Sequence, residues 1–185
     1  MNYKATARGV NLAVSSLIVM GFGASMARGQ LPKPWFQAGS EPADYEMNWD
    51  AKVSHGGAGS VSIKSKAAEP KGFGTVMQMS KPGEYLGKRV RMSAFVKSNR
   101  IESWAGLWLR IDGPNQAILG FDNMQNRPIT GTTDWKKYEI VLDVPQSSEG
   151  IAFGILLAGK GSAWVDDVKI EVVDTNVPST NMTPP

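Results

Sequence analysis

Three short stretches of this chain hold side chains of the kinds that do chemistry. In 103–111, SWAGLWLRI, one parity carries Ala105, Leu107, Leu109 and Ile111, and the other carries Trp104, Gly106, Trp108 and Arg110. Alternate side chains of a strand point to opposite faces, so two indoles and a guanidinium share one face with a gap at Gly106. A sugar ring offers an apolar C–H side and a girdle of hydroxyls. An indole stacks on the first and a guanidinium donates to the second. The competing reading of the same pattern is packing, with both parities buried and each indole N–H paired. In 121–129, FDNMQNRPI, the chain supplies Asp122, Asn123, Gln125, Asn126 and Arg127. Planar amides and guanidinium can grip neighbouring hydroxyls in pairs. The same residue types also make polar turns that satisfy their own backbone. Gln78, between Met77 and Met79, is a further candidate for that polar group.

The third stretch is 161–173, GSAWVDDVKIEVV. Trp164, Asp166, Val168, Ile170 and Val172 share one parity, and Val165, Asp167, Lys169 and Glu171 the other. The apolar set is expected to face a core, which turns Asp166 inward or to the rim of that core. A buried carboxylate needs hydrogen-bond donors or a cation. Asp166 therefore either accepts N–H or Arg donors at a sheet edge or ligates a metal ion. It does not form a catalytic pair with Asp167, because neighbours on a strand point apart, whereas glycoside hydrolysis needs two carboxyls across one cleft. The single histidine, His55, lies in a Gly-rich turn, and there is no Gly-x-Ser-x-Gly elbow. The chain has no Cys, which removes disulfides, thiolate metal sites and redox catalysis. A non-catalytic protein is expected. Distant acids such as Asp122 and Glu139 can still meet in space, which leaves a small hydrolase or lyase as the enzymatic alternative.

The elements that must position these groups repeat every two residues. Val90, Met92, Ala94 and Val96 alternate with polar neighbours. Tyr138, Ile140, Leu142 and Val144 do the same, as do Ile151, Phe153, Ile155 and Leu157. Shorter strands are expected at Tyr45–Asp50, Ser60–Ser65, 75–80, 105–111 and Ile118–Asp122. Gly, Pro, Asn and Asp mark the joints in HGGAG, KPGE, DGPN, NRP and AGKG. No helical repeat follows the opening segment. About nine or ten short strands with turn signals between them predict a jelly-roll β-sandwich of two antiparallel sheets.

The opening segment has its own signature. Lys4 and Arg8 precede the apolar run 10–24, and Ser25-Met26-Ala27 follows. A basic start, a short apolar middle and small residues are the parts of a secretory signal peptide, here 1–27. The run falls short of the ~20 residues of a membrane span; the competing reading is an uncleaved anchor, and after cleavage no stable span is expected. The mature chain is then secreted or periplasmic. Residues 28–34 read as a linker, 35–174 as the folded domain, and 175–185, rich in Pro, Thr, Asn and Ser, as a disordered tail. Loss of Lys4 and Arg8 takes the formal net charge from +3 to about +1 with both signs scattered, and no basic stripe suggests nucleic acid.

Three motifs in order then resemble one family. DAKVSHGGAGSVSIKS joins a His-Gly turn to an alternating strand, TTDWKKYEIVLDVP is a Trp-led strand after a turn, and GSAWVDDVKIEV closes the domain. This arrangement is similar to the carbohydrate-binding-module type of β-sandwich, also called galactose-binding-like. The resemblance spans nearly all of 35–174. It implies non-catalytic binding of a glycan or other small polyhydroxylated ligand. Trp104, Trp108 and Arg110 would form the platform, with Asp122, Asn123, Gln125, Asn126 and Arg127 as polar rim. It also implies a structural Ca²⁺ at the last strand. Asp166 would be the late acid, Glu46 or Asp50 the early one, and the turn around His55 a source of carbonyls. Domains of this build also serve as sensors or protein-interaction modules with no sugar ligand, so a protein partner stays open.

Overall fold

The structure, a computed structural model, describes residues 30–182, and the leader assigned to 1–27 lies outside the described residues. Nine strands follow in chain order: β1 (Phe36–Gly39), β2 (Tyr45–Asp50), β3 (Ser60–Ser65), β4 (Phe73–Ser80), β5 (Lys88–Asp112), β6 (Ile118–Asp122), β7 (Ile129–Val144), β8 (Gly150–Ala158) and β9 (Ser162–Val173). Helix among the described residues is limited to three 3-10 turns, Pro42–Asp44, Gly83–Tyr85 and Pro114–Gln116. None is long and apolar enough to cross a membrane.

β5 is 25 residues long and serves both layers. Its first half pairs with β7 on one side and β9 on the other, and its second half with β8 and β6. One sheet therefore runs β7-β5-β9-β3-β2 and the other β1-β4-β8-β5-β6, antiparallel throughout. This is the expected jelly-roll β-sandwich. Two strands were expected, at 90–96 and 105–111. They are instead one, with register breaks between Val96 and Ala105 and Arg100 at φ 52° letting it turn from the first sheet into the second.

The alternation seen in the sequence builds the core. Val90, Met92, Ala94 and Val96 face Ala105, Leu107, Leu109 and Ile111, with Ile140, Leu142, Val144, Ile151, Ile155 and Leu157 filling the space between. β1 lacks a strong alternating pattern and was not expected. It forms because β4 offers it an edge, Phe36 opposite Met77. Leu31 and Trp35 pack on this core, and Trp35 sets its edge on Phe153 at 6.2 Å, so part of the expected linker belongs to the domain. Of the residues expected as a disordered tail, Thr175 and Val177 are held by β5 and 179–182 bond to β7 and β6. Arg89 Nη1 donates to the carbonyls of Thr175 and Val177 at 2.7 and 2.8 Å.

Asp166 does not share a face with Val168 and Ile170. The pairing of β9 with β5 shifts between Ser93 and Phe95, and Asp167 there takes a φ of 51°. One residue is absorbed in this bulge, so parity reverses across it. Ala163 and Val165 point inward before it, and Val168 and Ile170 pack inward after it. Asp166 and Trp164 therefore lie on the outer face. The buried carboxylate is Asp122, opposite Leu109 in β6 and fully inaccessible. Arg127 grips it with Nη1 to Oδ1 at 3.1 Å and Nη2 to Oδ2 at 2.6 Å, and the Met124 N–H donates to Oδ1 at 2.8 Å. These two residues, expected on a ligand rim, lock the β6–β7 turn instead.

The outer face of the first sheet carries charge. Glu171 accepts from Lys169 Nζ and from Arg91 Nη2 at 2.7 Å, and these two cations, Lys169 foremost, hold its pKa at about 2, below the ordinary 4.5. A carboxylate depressed by folding contributes stability above its unfolded pKa and loses it on acidification. Stability should therefore fall between about pH 4.5 and 2. Glu171→Gln should flatten this part of a stability-against-pH curve measured by urea unfolding. Removing the partner of the buried carboxylate should cost more: Arg127→Ala is expected to lower unfolding free energy by about 3 kcal/mol. Arg127→Ala combined with Asp122→Leu should recover part of that loss.

Candidate functional site

Trp104, Gly106, Trp108 and Arg110 share the outer face of the second sheet, and register fixes their neighbours. One row reads Phe36, Met77, Gly154, Trp108, and the next Met79, Ala152, Arg110, Phe121. On the other side lie Thr75, Leu156 and Gly106, and then Phe73, Ala158 and Trp104. Gly154 leaves no side chain between Met77 and Trp108, and both join one apolar cluster with Ala152 and Leu156. Trp108 reaches across β8: its Nε1–H donates to Thr75 Oγ1 at 2.8 Å, and Thr75 in turn donates to the Ile155 carbonyl at 2.8 Å. With its N–H satisfied and only 7% of its surface exposed, Trp108 is floor and not platform.

What remains open to a ligand on this face is Trp104, Phe121 and Arg110, each partly buried, ringed by Phe36, Phe73 and Met79 at 41%, 38% and 54% exposure. Arg110 is held by Asp112, two residues on and on the same face, with Nε to Oδ1 at 2.6 Å and Nη2 to Oδ2 at 3.1 Å. Among the described residues the pair leaves Nη1 as a free donor and carboxylate lone pairs as free acceptors, side by side at the end of the apolar strip. Neither Phe121 nor Asp112 was singled out from the sequence. The parity of Arg110 and Asp112 was visible there. The position of Phe121 needed the β5–β6 register.

The β6–β7 turn borders the face at one point. A Cβ on Gly106 would lie 2.6 Å from the Asn123 carbonyl oxygen, so glycine lets this turn close against the strand between Trp104 and Trp108. Asn123 Oδ1 accepts the Gln125 N–H at 3.0 Å, and Asn126 Oδ1 accepts from Arg127 at 3.0 Å. Asn123 thus flanks the strip, Gln125 and Asn126 are exposed in the turn, and Asp122 and Arg127 serve the core side. Gln78 pairs opposite Phe153 and takes the inward parity, away from Trp108. A depression of about 450 Å³ beside this turn is lined by Arg127, Pro128, Lys136, Tyr138 and Glu139 among others.

The outer face of the first sheet carries a second aromatic group. The His55 ring stacks on Phe95 at 3.6 Å and 12°, with Trp135 edge-on at 5.8 Å. His55 Nδ1 lies 2.7 Å from Asp167 Oδ2. Asp166 Oδ2 accepts the N–H of His55 and of Gly56 at 2.9 and 3.2 Å, and Oδ1 accepts that of Asp167 at 2.9 Å. Asp50 Oδ1 and Oδ2 accept from the Lys52 N–H and Trp164 Nε1, and Glu46 accepts from Asn48. Each acid named for Ca²⁺ is thus engaged by N–H donors, and the turn offers Asp166 its backbone amides. Among the described residues no three His, Cys, Asp or Glu groups converge to hold a metal. As placed, Asp166, Asp50 and Glu46 do not converge on one point.

No family model matches the chain. A curated protein of Bacillus subtilis (strain 168), named an uncharacterized HTH-type transcriptional regulator YbfP, is 47% identical over 154 residues, covering 83% of this chain and 52% of that protein. The chain spans about half the length of the curated relative it matches. Among solved structures, the CBM22-1 xylan-binding domain of Paenibacillus barcinonensis Xyn10C is similar at a TM-score of 0.54 and 15% identity, over 76% of this chain and 86% of that one. TmCBM61 in complex with β-1,4-galactotriose gives 0.51 and 14%, over 76% and 90%. The enzymatically active domain of bacteriophage CBA120 tailspike protein 4 gives 0.57 and 12%, over 76% and 20%. The structural likeness shows that this chain has the β-sandwich fold of carbohydrate-binding modules.

Proposed function

We propose that the domain is a non-catalytic binding module for a glycan or other polyhydroxylated ligand, which it takes on the outer face of the second sheet. The observation that carries this is that Trp104, Phe121 and the Arg110–Asp112 pair line one face, with both rings packed on the Met77–Trp108–Leu156 cluster. The rings suit the C–H side of a sugar, and the pair offers a donor and an acceptor to adjacent hydroxyls. Trp108, fixed by Thr75, keeps the floor rigid, so little ordering is lost on binding. Neighbours in fold that are xylan-binding or carry β-1,4-galactotriose support the reading.

A second reading is favoured by one observation. Phe36, Phe73 and Met79 leave large apolar groups exposed around a dry floor, which suits contact with a protein surface better than with a fully hydroxylated sugar. The regulator named as a relative fits such a sensor or interaction module. The two readings separate experimentally. Titration with xylohexaose and with β-1,4-galactotriose, followed by tryptophan fluorescence and calorimetry, should give saturable binding. Trp104→Ala should weaken it by about tenfold or more, as loss of a stacked ring does, while Trp135→Ala on the opposite sheet leaves it unchanged. Absence of binding across a wide glycan panel, with self-association or capture of a protein partner lost in Phe73→Ser, would move the assignment to the second reading. Export belongs to the same proposal, and N-terminal sequencing of the mature chain is expected to begin at Arg28.

A further inference from the structure

Residues 179–182 stitch the two sheets together at their open side, with side-chain oxygens standing in for backbone carbonyls. The Thr180 N–H donates to the Val141 carbonyl at 2.8 Å, and Thr180 Oγ1 accepts the Val141 N–H at 2.9 Å. The Met182 N–H donates to the Phe121 carbonyl at 2.7 Å, and Asn181 Oδ1 accepts the Phe121 N–H at 2.9 Å. Val141 belongs to β7 of the first sheet and Phe121 to β6 of the second. Each edge residue thus has both backbone groups satisfied, as in a strand pair, although the segment crosses from one sheet to the other. Ser179 Oγ adds a bond to the Val141 carbonyl at 3.2 Å. Arg89 anchors the segment upstream through Thr175 and Val177, while its Nε and Nη2 hold Asp143 at 2.8 Å each.

The consequence falls on the binding face. β6 is five residues long and has one strand neighbour, β5. Its other edge at Phe121 is satisfied by Asn181 and Met182. An edge strand this short, paired on one side, opens easily unless something covers it. Phe121 stands opposite Arg110 on the face described above.

We infer that the 179–182 segment is a strap that positions Phe121 for the ligand, so that strap docking and ligand binding stabilise each other. This rests on the reading of that face as the binding site. Coupling follows from preorganisation: a ligand that stacks on Phe121 favours the state in which β6 is ordered, and that state is the strap-docked one. Reciprocity then requires the ligand to tighten the strap by the same factor. Asn181 is a positioning residue in this scheme, since it acts through the backbone of Phe121 and touches no ligand.

Hydrogen exchange on the full chain tests the strap without any ligand. Asn181→Leu removes the acceptor for the Phe121 N–H and should speed exchange across 118–122 by about tenfold, the worth of one lost hydrogen bond. Exchange across β8 should stay unchanged. Asn181→Asp keeps an acceptor oxygen in place and should keep the protection. Equal exchange of 118–122 in the Leu variant and the parent chain overturns the strap. Affinity for xylohexaose or β-1,4-galactotriose should fall about fivefold or more in Asn181→Leu and be restored in Asn181→Asp, and adding the sugar to the parent chain should slow exchange of the Val141 amide. Unchanged affinity in the Leu variant overturns the coupling. A parent chain that binds no sugar sinks the functional reading, and the exchange experiment still decides whether Asn181 orders β6.

Discussion

Strand β5 runs through both layers of the sandwich, and the breaks between its two halves therefore tie the inward row of one layer to that of the other. Once Val90 faces inward at one end, the turns absorbed between Val96 and Ala105 decide which parity of the second half meets it. They bring Ala105, Leu107, Leu109 and Ile111 inward. A slip of one residue would send Trp104, Trp108 and Arg110 into the core and expose four apolar side chains. The cost of that exchange, a buried guanidinium against lost apolar burial, pins the register far more firmly than any one hydrogen bond. β7, β8, β9 and β6 all take their places from this strand, so the candidate site is a consequence of the same constraint.

Carboxylates mark where the period of two breaks down. Asp166 and Asp167 sit at a bulge in which a residue at positive φ reverses the parity of β9. Asp166 then faces outward and clasps the His55 turn through backbone amides. Asp122 sits at the end of β6, where the chain must leave the sheet, and its burial is made tolerable by a two-point bond to Arg127. One acid holds a loop over the first sheet and the other holds a turn against the second. Both act on architecture, and both leave the face with Trp104 free of unpaired buried charge.

That face is less polar than a hydroxyl-rich ligand alone would need. Its floor is dry because Gly154 lets Met77 and Trp108 meet, and Thr75 meets the indole N–H. Its polar groups are gathered at one end in the Arg110–Asp112 pair. A ligand bound there would be gripped by ring stacking along its length and oriented by one bidentate partner. Selectivity would then come from shape and from the few hydroxyls that reach the pair.

Most of the fold was legible in the residues themselves. Alternation over 90–96, 105–111, 138–144 and 151–157 determined the all-β class and the inward rows, because a strand buried on one face must hide every second side chain. The shared parity of Trp104, Trp108 and Arg110 was legible for the same reason. The tertiary structure decided everything that depends on a neighbour: that Trp108 is covered, that Phe121 and not Asp122 joins the face, that the bulge turns Asp166 outward, and that the tail is docked. Periodicity reports which side of its own strand a residue occupies. Register, bulges and edge partners are set by the chain segments that come to lie alongside, often a hundred residues away in sequence, and they alone determine what that side is turned towards.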